Sequence, residues 1–432
     1  MGPRRPGTRS RTTLLVALLL AISLAVNGCA NRREVQDINI ITAMGIDRVT
    51  VDGKPKFLVT ILSARPTPPG SAANTGGGMG TPSRGITFVI SGEGDTVFDA
   101  GRNLNLRSSR QIFLSHVLVI VFGEQLAAEG VGEAVDFLFR HKDLRERAFV
   151  AVTRGLARDV LMSQPEIETT ASMEMFEILQ KNKTVISKTI DTNLFQLSYA
   201  LLNPGIEAAV PNIKLFMPPE TISPIRSSTS SETGQSSPGG QTGGKSEPQA
   251  QNQTFTFSGA AVFLGDRLVG RMDEEETEGM EIIRNQAKGG ILTVAFDGPN
   301  KNTSYLYRDL KAEVKPVVGE DGSISFEVTV KGRGELQEEK NAVIQVEKED
   351  IKRMEELVDQ EAERICMKAV QRAQLLGADV LGFGDRLRRA EPKAWKGVKE
   401  DWTSIFPTVP VRVRADLRVE HIGIISEPFQ VQ

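Results

Sequence analysis

A chain of 432 residues, 40% hydrophobic and 25% charged, is long enough for two or three domains with real cores. A formal net charge of −3 gives no electrostatic ground for binding nucleic acid, so no nucleic-acid partner is expected. Only two cysteines occur, Cys29 and Cys366, which excludes a disulfide framework.

The chain opens with Arg4, Arg5, Arg9 and Arg11, followed by an apolar run from Leu14 to Val26 and the small residues before Cys29. That order is the layout of a secretory signal peptide. The run of about 13 residues is shorter than the roughly 20 needed to span a bilayer as a helix. Val26, Gly28 and Cys29 fit a bacterial lipobox, so residues 1–28 are expected to be a lipoprotein signal peptide. Cys29 is the expected lipidation site, carrying a diacylglyceryl group into the membrane. A plain signal peptide with an incidental cysteine is the alternative. Two acyl chains matter because one alone binds only marginally.

Residues 38–47 and 56–62 have strand chemistry around an Asp52-Gly53 turn, which predicts a β-hairpin. A Pro/Gly-rich excursion at 66–84 precedes a strand at 86–90 and a helix over 96–106. The dense apolar stretch 112–122 predicts one buried strand. Helices are expected over 126–139, 173–179 and 194–202, with a short strand at 149–153. Between 223 and 253, Ser, Gly, Gln, Thr and Pro dominate, and such a segment lacks the apolar surface to offset its ordering entropy. A second hairpin is predicted at 259–270, then a helix over 273–285 with acids in its first turn, favourable to the helix dipole. Strands at 291–296, 304–314 and 323–330 lead to a long helix over 350–376. Its apolar stripe includes Ile351, Met354, Val358, Ala362, Ile365, Ala369, Ala373 and Leu376. A helical piece around Trp395 and Trp402 and a strand over 409–425 end the chain.

These elements mix without strict βα alternation. The expected class is therefore α+β: multi-domain, with mixed or antiparallel sheets and helices packed on one face. The expected domains are an N-terminal α/β domain at 29–122, a second α/β domain at 123–222, a disordered Gly/Ser/Gln linker at 223–253 and a C-terminal α+β domain at 254–432.

The search for chemistry is largely negative. Residues 239–246 satisfy the P-loop pattern, but no strand precedes them and no helix follows, so the match is read as accidental. His116, His141 and His421 show no zinc-ligand spacing, and His116 is read as a core histidine inside its apolar run. Cys366 is read as a buried thiol, Asp273 to Glu276 as a solvated helix start, and Trp395 with Trp402 as core residues. No nucleophile, base and orienter assemble, so no enzyme, metal or cofactor is expected.

Further stretches carry a resemblance. They are Cys29, Arg32-Arg33-Glu34-Val35, Ala43-Met44-Gly45-Ile46-Asp47, Ser115-His116, Asp136-Phe137-Leu138, Gly259-Ala260-Ala261-Val262-Phe263, Asp379-Val380-Leu381-Gly382-Phe383-Gly384, Trp395, Trp402 and Phe406-Pro407. In order and coverage the chain resembles the Ger(x)C family of spore germination lipoproteins, the C subunits of nutrient germinant receptors. Ala30-Asn31 stand where that family usually has Trp-Asp. The resemblance implies a non-catalytic, lipid-anchored subunit on the outer face of the spore inner membrane, acting with membrane-embedded A and B subunits. It supplies no catalytic residues. A lipid-anchored solute-binding protein is the alternative, and it predicts a ligand cleft between two lobes.

Overall fold

The computed structural model describes residues 38–64, 87–217, 253–296, 302–339 and 348–422. The expected signal peptide, Cys29, the 66–84 excursion, the P-loop-like stretch and all but the last residue of the 223–253 segment lie outside them.

β1 (Ile38–Val51) and β2 (Lys54–Ala64) form the predicted antiparallel hairpin. Its turn residues Asp52 and Gly53 have φ of 51° and 74°, the left-handed pair that matches strand twist. β3 (Thr87–Gly94) extends the sheet beyond β2, and α1 (Val97–Asn103) follows, its first turn capped by the Thr96 hydroxyl accepting from the Asp99 amide at 3.1 Å.

The 112–122 run does not form one strand. β4 (Gln111–Phe113) pairs with residues 38–40 of β1, and β5 (Val119–Phe122) pairs with residues 43–46 of the same strand. Residues 114–118 face only residues 41 and 42, so the excess chain loops out. His116 sits in that loop, exposed, its ring 5.7 Å from Phe113, which corrects its reading as a core residue.

The predicted helix over 126–139 is two helices, α2 (Glu124–Glu129) and α3 (Gly132–Arg140). Gly130, with φ of 135°, separates them, a conformation no helix accommodates. β6 (Phe149–Thr153), α4 (Ala157–Met162), α5 (Ala171–Val185) and α6 (Leu194–Leu202) come next. β7 (Ala209–Phe216) then pairs parallel to β6, and β8 (Thr254–Leu264) and β9 (Arg267–Met272) close the sheet. Strand order is β3-β2-β1-β5-β6-β7-β8-β9, with β4 beside β1: a parallel centre flanked by antiparallel hairpins.

Helices cover both faces of this sheet, not one. α1, α2, α3 and α6 share a core with Ile46, Val59, Phe122 and Val152, while α4 and α5 pack on Ala43, Val121, Ala151 and Ile213. The central strands require this, because β5 is buried at every position and β6 at four of five, so both sides need a cover. The expected boundary at 122/123 falls inside this sheet. β8 and β9, expected to open the C-terminal domain, complete it instead.

The second unit begins with α7 (Glu274–Ile283), whose N-terminus carries a reciprocal capping box between Asp273 and Glu276. Its sheet runs β10 (Gly289–Ala295), β11 (Asn302–Val318), β12 (Ile324–Glu339) and β13 (Val411–Ile422), the last parallel to β12. α8 (Lys348–Leu375) lies across one face with Met354, Val358, Ala362, Ile365, Ala369 and Ala373 buried. Gly279 lets α7 press onto it: a Cβ there would stand 2.3 Å from the Ile365 carbonyl oxygen. One turn apart along α8, Glu355, Asp359 and Glu363 accept from the amides of Val419, Leu417 and Ala415 on β13, at 3.0, 2.7 and 3.0 Å. The class is α+β, with one mixed sheet and a second that is antiparallel except for β13.

Candidate interaction cleft between the two units

The Ala43-to-Asp47 stretch ends at a buried carboxylate. Asp47 accepts from the Ala157 amide at 2.7 Å and the Arg158 amide at 3.2 Å, capping α4, whose own cap residue Leu156 has no side-chain acceptor. Burial pushes its pKa up to about 6, against the pull of those two amides. Gly45 belongs to the same device, since a Cβ there would lie 3.0 Å from the Ala157 methyl.

Asp379 plays the equivalent part in the second unit. It is fully buried and accepts from the amides of Phe383 at 3.0 Å and Gly384 at 2.7 Å, and from the Trp402 indole at 3.0 Å. It thereby starts α9 (Phe383–Ala390) and pins α11 (Trp402–Ile405) beyond α10 (Pro392–Val398). Burial again lifts this carboxyl to about 6. Phe383 stacks on Phe326 at 4.6 Å, and Trp395 meets Trp402 edge-on at 5.7 Å. The two tryptophans are core residues, as their spacing suggested.

This wedge presses on the first unit. The Glu207 amide donates to the Asp379 carbonyl at 3.0 Å, and the Asp385 amide to the Gly205 carbonyl at 2.8 Å. Gly205 has no room for a Cβ, which would sit 2.8 Å from the Asp385 nitrogen. Beside this seam opens a cleft of about 370 Å³ between α6 on one side and α7 and α9 on the other. Phe195 and Tyr199 line it and continue to Leu202 as a stripe at i, i+4 and i+7, exposed by 54%, 45% and 85%. Opposite stand Arg284, Arg386 and Arg389. Arg284 faces the buried Glu281 at 3.8 Å, and Asp385 holds Arg389 and Arg388. Arg386 is half-buried and forms no ion pair among the described residues. Desolvation, then the neighbouring Arg389, lowers its pKa. An apolar stripe rimmed by arginines suits contact with another molecule better than bond-making chemistry.

Other sequence candidates take structural roles. Cys366 is buried, and burial raises its pKa. Asp273 and Glu275 meet Lys368 at 2.8 and 2.9 Å, tying α7 to α8. His141 accepts from the Asp143 amide at 3.3 Å at the end of α3, and the His421 backbone pairs with Glu335. Among the described residues no group of three His, Cys, Asp or Glu side chains is placed to hold a metal ion, and no helix is long and apolar enough to cross a membrane. The residues that line the cleft were not foreseen. Their one sequence signal is the run Arg386-Leu387-Arg388-Arg389.

A two-unit α+β protein with structural carboxylate hubs and an exposed inter-unit cleft is thus defined. Residues 31–215 match the spore germination protein N-terminal domain, and residues 258–423 match the spore germination B3/GerAC-like C-terminal domain. The chain belongs to the Ger(x)C family of spore germination proteins. It is 24% identical over 439 residues to spore germination protein YndF of Bacillus subtilis (strain 168), covering 97% of this chain and 98% of that one. It is 23% identical over 426 residues to spore germination protein KC of the same organism, covering 98% of each. The crystal structure of the GerBC protein aligns over 88% of this chain and 98% of its own, at 17% identity and a TM-score of 0.49.

Proposed function

We propose that this protein is the non-catalytic C subunit of a nutrient germinant receptor, held on the outer face of the spore inner membrane by a diacylglyceryl group on Cys29. It acts there with membrane-embedded A and B subunits in nutrient-triggered germination. The observation that carries this reading is the match of both halves of the chain, in order, to spore germination domains, with end-to-end similarity to germination proteins. The lipobox at Cys29 and the arginine-rimmed apolar cleft support it, the first as an anchor and the second as a surface for protein contact.

The test is dipicolinic acid release from spores lacking the gene, triggered by nutrients and then by a receptor-independent agent. Loss of the nutrient response alone is expected. A normal response to every nutrient, in spores also lacking related copies, overturns the reading.

The cleft between the two units favours one second reading, a lipid-anchored solute-binding protein. It requires saturable binding of a small solute by the purified chain, abolished by filling the cleft with Tyr199→Trp or Thr192→Trp.

A further inference from the structure

The four-stranded sheet turns one face to α8 and leaves the other open. On the open face the pairing register sets Arg308, Arg333 and Arg418 side by side across β11, β12 and β13. The adjacent row is Lys311, Lys331 and Asp416. All five cations are exposed. Like charges directly opposite on neighbouring strands repel, so this register works against sheet stability.

The backbone holds the cluster together. Gly332 and Gly334 alternate with Lys331 and Arg333, and their missing side chains would strike Leu310 and Tyr305 on the core side. β12 therefore lies close on its core while its charge stands on the open face. Register shifts between Arg308 and Lys311, and between Gly334 and Glu335, bend the strands around a depression of about 540 Å³.

Counter-charges are incomplete. Arg333 donates to Glu420 at 2.8 Å, and Arg418 meets Asp416 at 2.7 Å and Glu355 at 3.1 Å. Glu335 is the remaining acid on the rim. Arg308, Lys311 and Lys331 form no side-chain ion pair or hydrogen bond among the described residues. The depression thus holds five cations and three acids in a chain whose net charge is −3. The unpaired guanidinium fork of Arg308, flanked by the unpaired ammonium groups of Lys311 and Lys331, matches a phosphate, which accepts bidentate and point contacts at once.

We propose that this depression binds a phosphate group, either of a soluble phosphate compound or of an anionic phospholipid headgroup, with Arg308, Lys311 and Lys331 supplying the free donors. The inference is independent of the receptor assignment, since it uses only the open sheet face.

The test uses the full-length chain carrying Cys29→Ser, so that no acyl chain contributes, with and without Arg308→Gln, Lys311→Gln and Lys331→Gln together. Inorganic phosphate and pyrophosphate are titrated by calorimetry. Phosphatidylcholine vesicles with and without phosphatidylglycerol are co-sedimented with each protein. Saturable phosphate or pyrophosphate binding that weakens at least about tenfold in the triple variant identifies a soluble source. Selective binding to the anionic vesicles, lost in the triple variant and suppressed by salt, identifies a headgroup. The substitutions relieve repulsion on an exposed face, so the urea midpoint should hold or rise, and Arg308→Gln alone serves as a milder second variant. Phosphate and vesicle binding that are both absent, or both unchanged in the triple variant, overturn the proposal.

Discussion

Asp47 and Asp379 show how a carboxylate can hold a fold together while remaining costly to bury. Each accepts amides at the start of a helix that follows it, across 110 residues for Asp47 and within one turn for Asp379. Both are raised to about 6 from an ordinary 3.8. Between about pH 4 and 6 the folded chain therefore binds more protons than the unfolded one, so stability falls as pH rises through that window and levels off above it. Near Asp47, Asp159 and Arg158 pull in opposite directions and leave burial in command. Asp47→Asn keeps an acceptor for Ala157 and removes the titration. Urea unfolding at pH 4, 5, 6 and 7 should show a shallower slope in this variant than in the parent. Asp379→Ala leaves three buried donors without their acceptor and should lose about 2–4 kcal/mol at pH 7 in the same assay.

Elements differ in how openly the chain announces them. The β1–β2 hairpin, α6 with its Asn193/Gln196 capping box and the long α8 were legible, because each carries a turn signal, a cap or a sustained period. β7 was not, since Pro211 argues against a strand and is accommodated by a register shift beside it. α4 is six residues long, too short to show a period, and is capped from a distant strand that local pattern cannot reveal. Gly130 marked a helix break that apolar spacing alone passed over. The residues that form the cleft were invisible for a related reason. Phe195 and Arg386 lie on helices whose meeting depends on the seam at Gly205 and Asp385. Close packing makes its own prediction at this scale. Gly279→Ala forces α7 away from the Ile365 carbonyl and should cost about 1–3 kcal/mol, read as a lower urea midpoint with an unchanged slope.

The whole molecule is two units joined by backbone hydrogen bonds at the seam, by the Arg372 guanidinium donating to the Arg271 carbonyl, and by a shared core that takes in Ala260, Val262 and Met272 of the first sheet. Under the proposed anchoring, Cys29→Ala should leave the unfolding curve of the rest of the chain unchanged and reduce membrane retention, checked by fractionating cells that lack the proposed partner subunits. Retention equal to the parent would remove the lipid from the account. Joined units also imply coupled stability. Gly205→Val, which sets a branched side chain against α9, should lower the melting temperatures of both units together, followed by hydrogen exchange in β5 and β12. Exchange rising in one unit alone would mean that the seam carries no coupling.

The three carboxylates that α8 offers to β13 bear on how this chain behaves in a crowd. β13 is the outer strand of its sheet, and an uncovered outer strand is a template on which a second chain can add its own. Glu355, Asp359 and Glu363 occupy the outward amides of Val419, Leu417 and Ala415, so a foreign strand finds no donors there. Replacing all three by alanine keeps the buried stripe of α8 and should turn a monodisperse protein into one whose light scattering grows with concentration. Under the proposed anchoring, many copies gathered on one membrane would meet at high local concentration, and this row of acids would keep their sheets from fusing into one another.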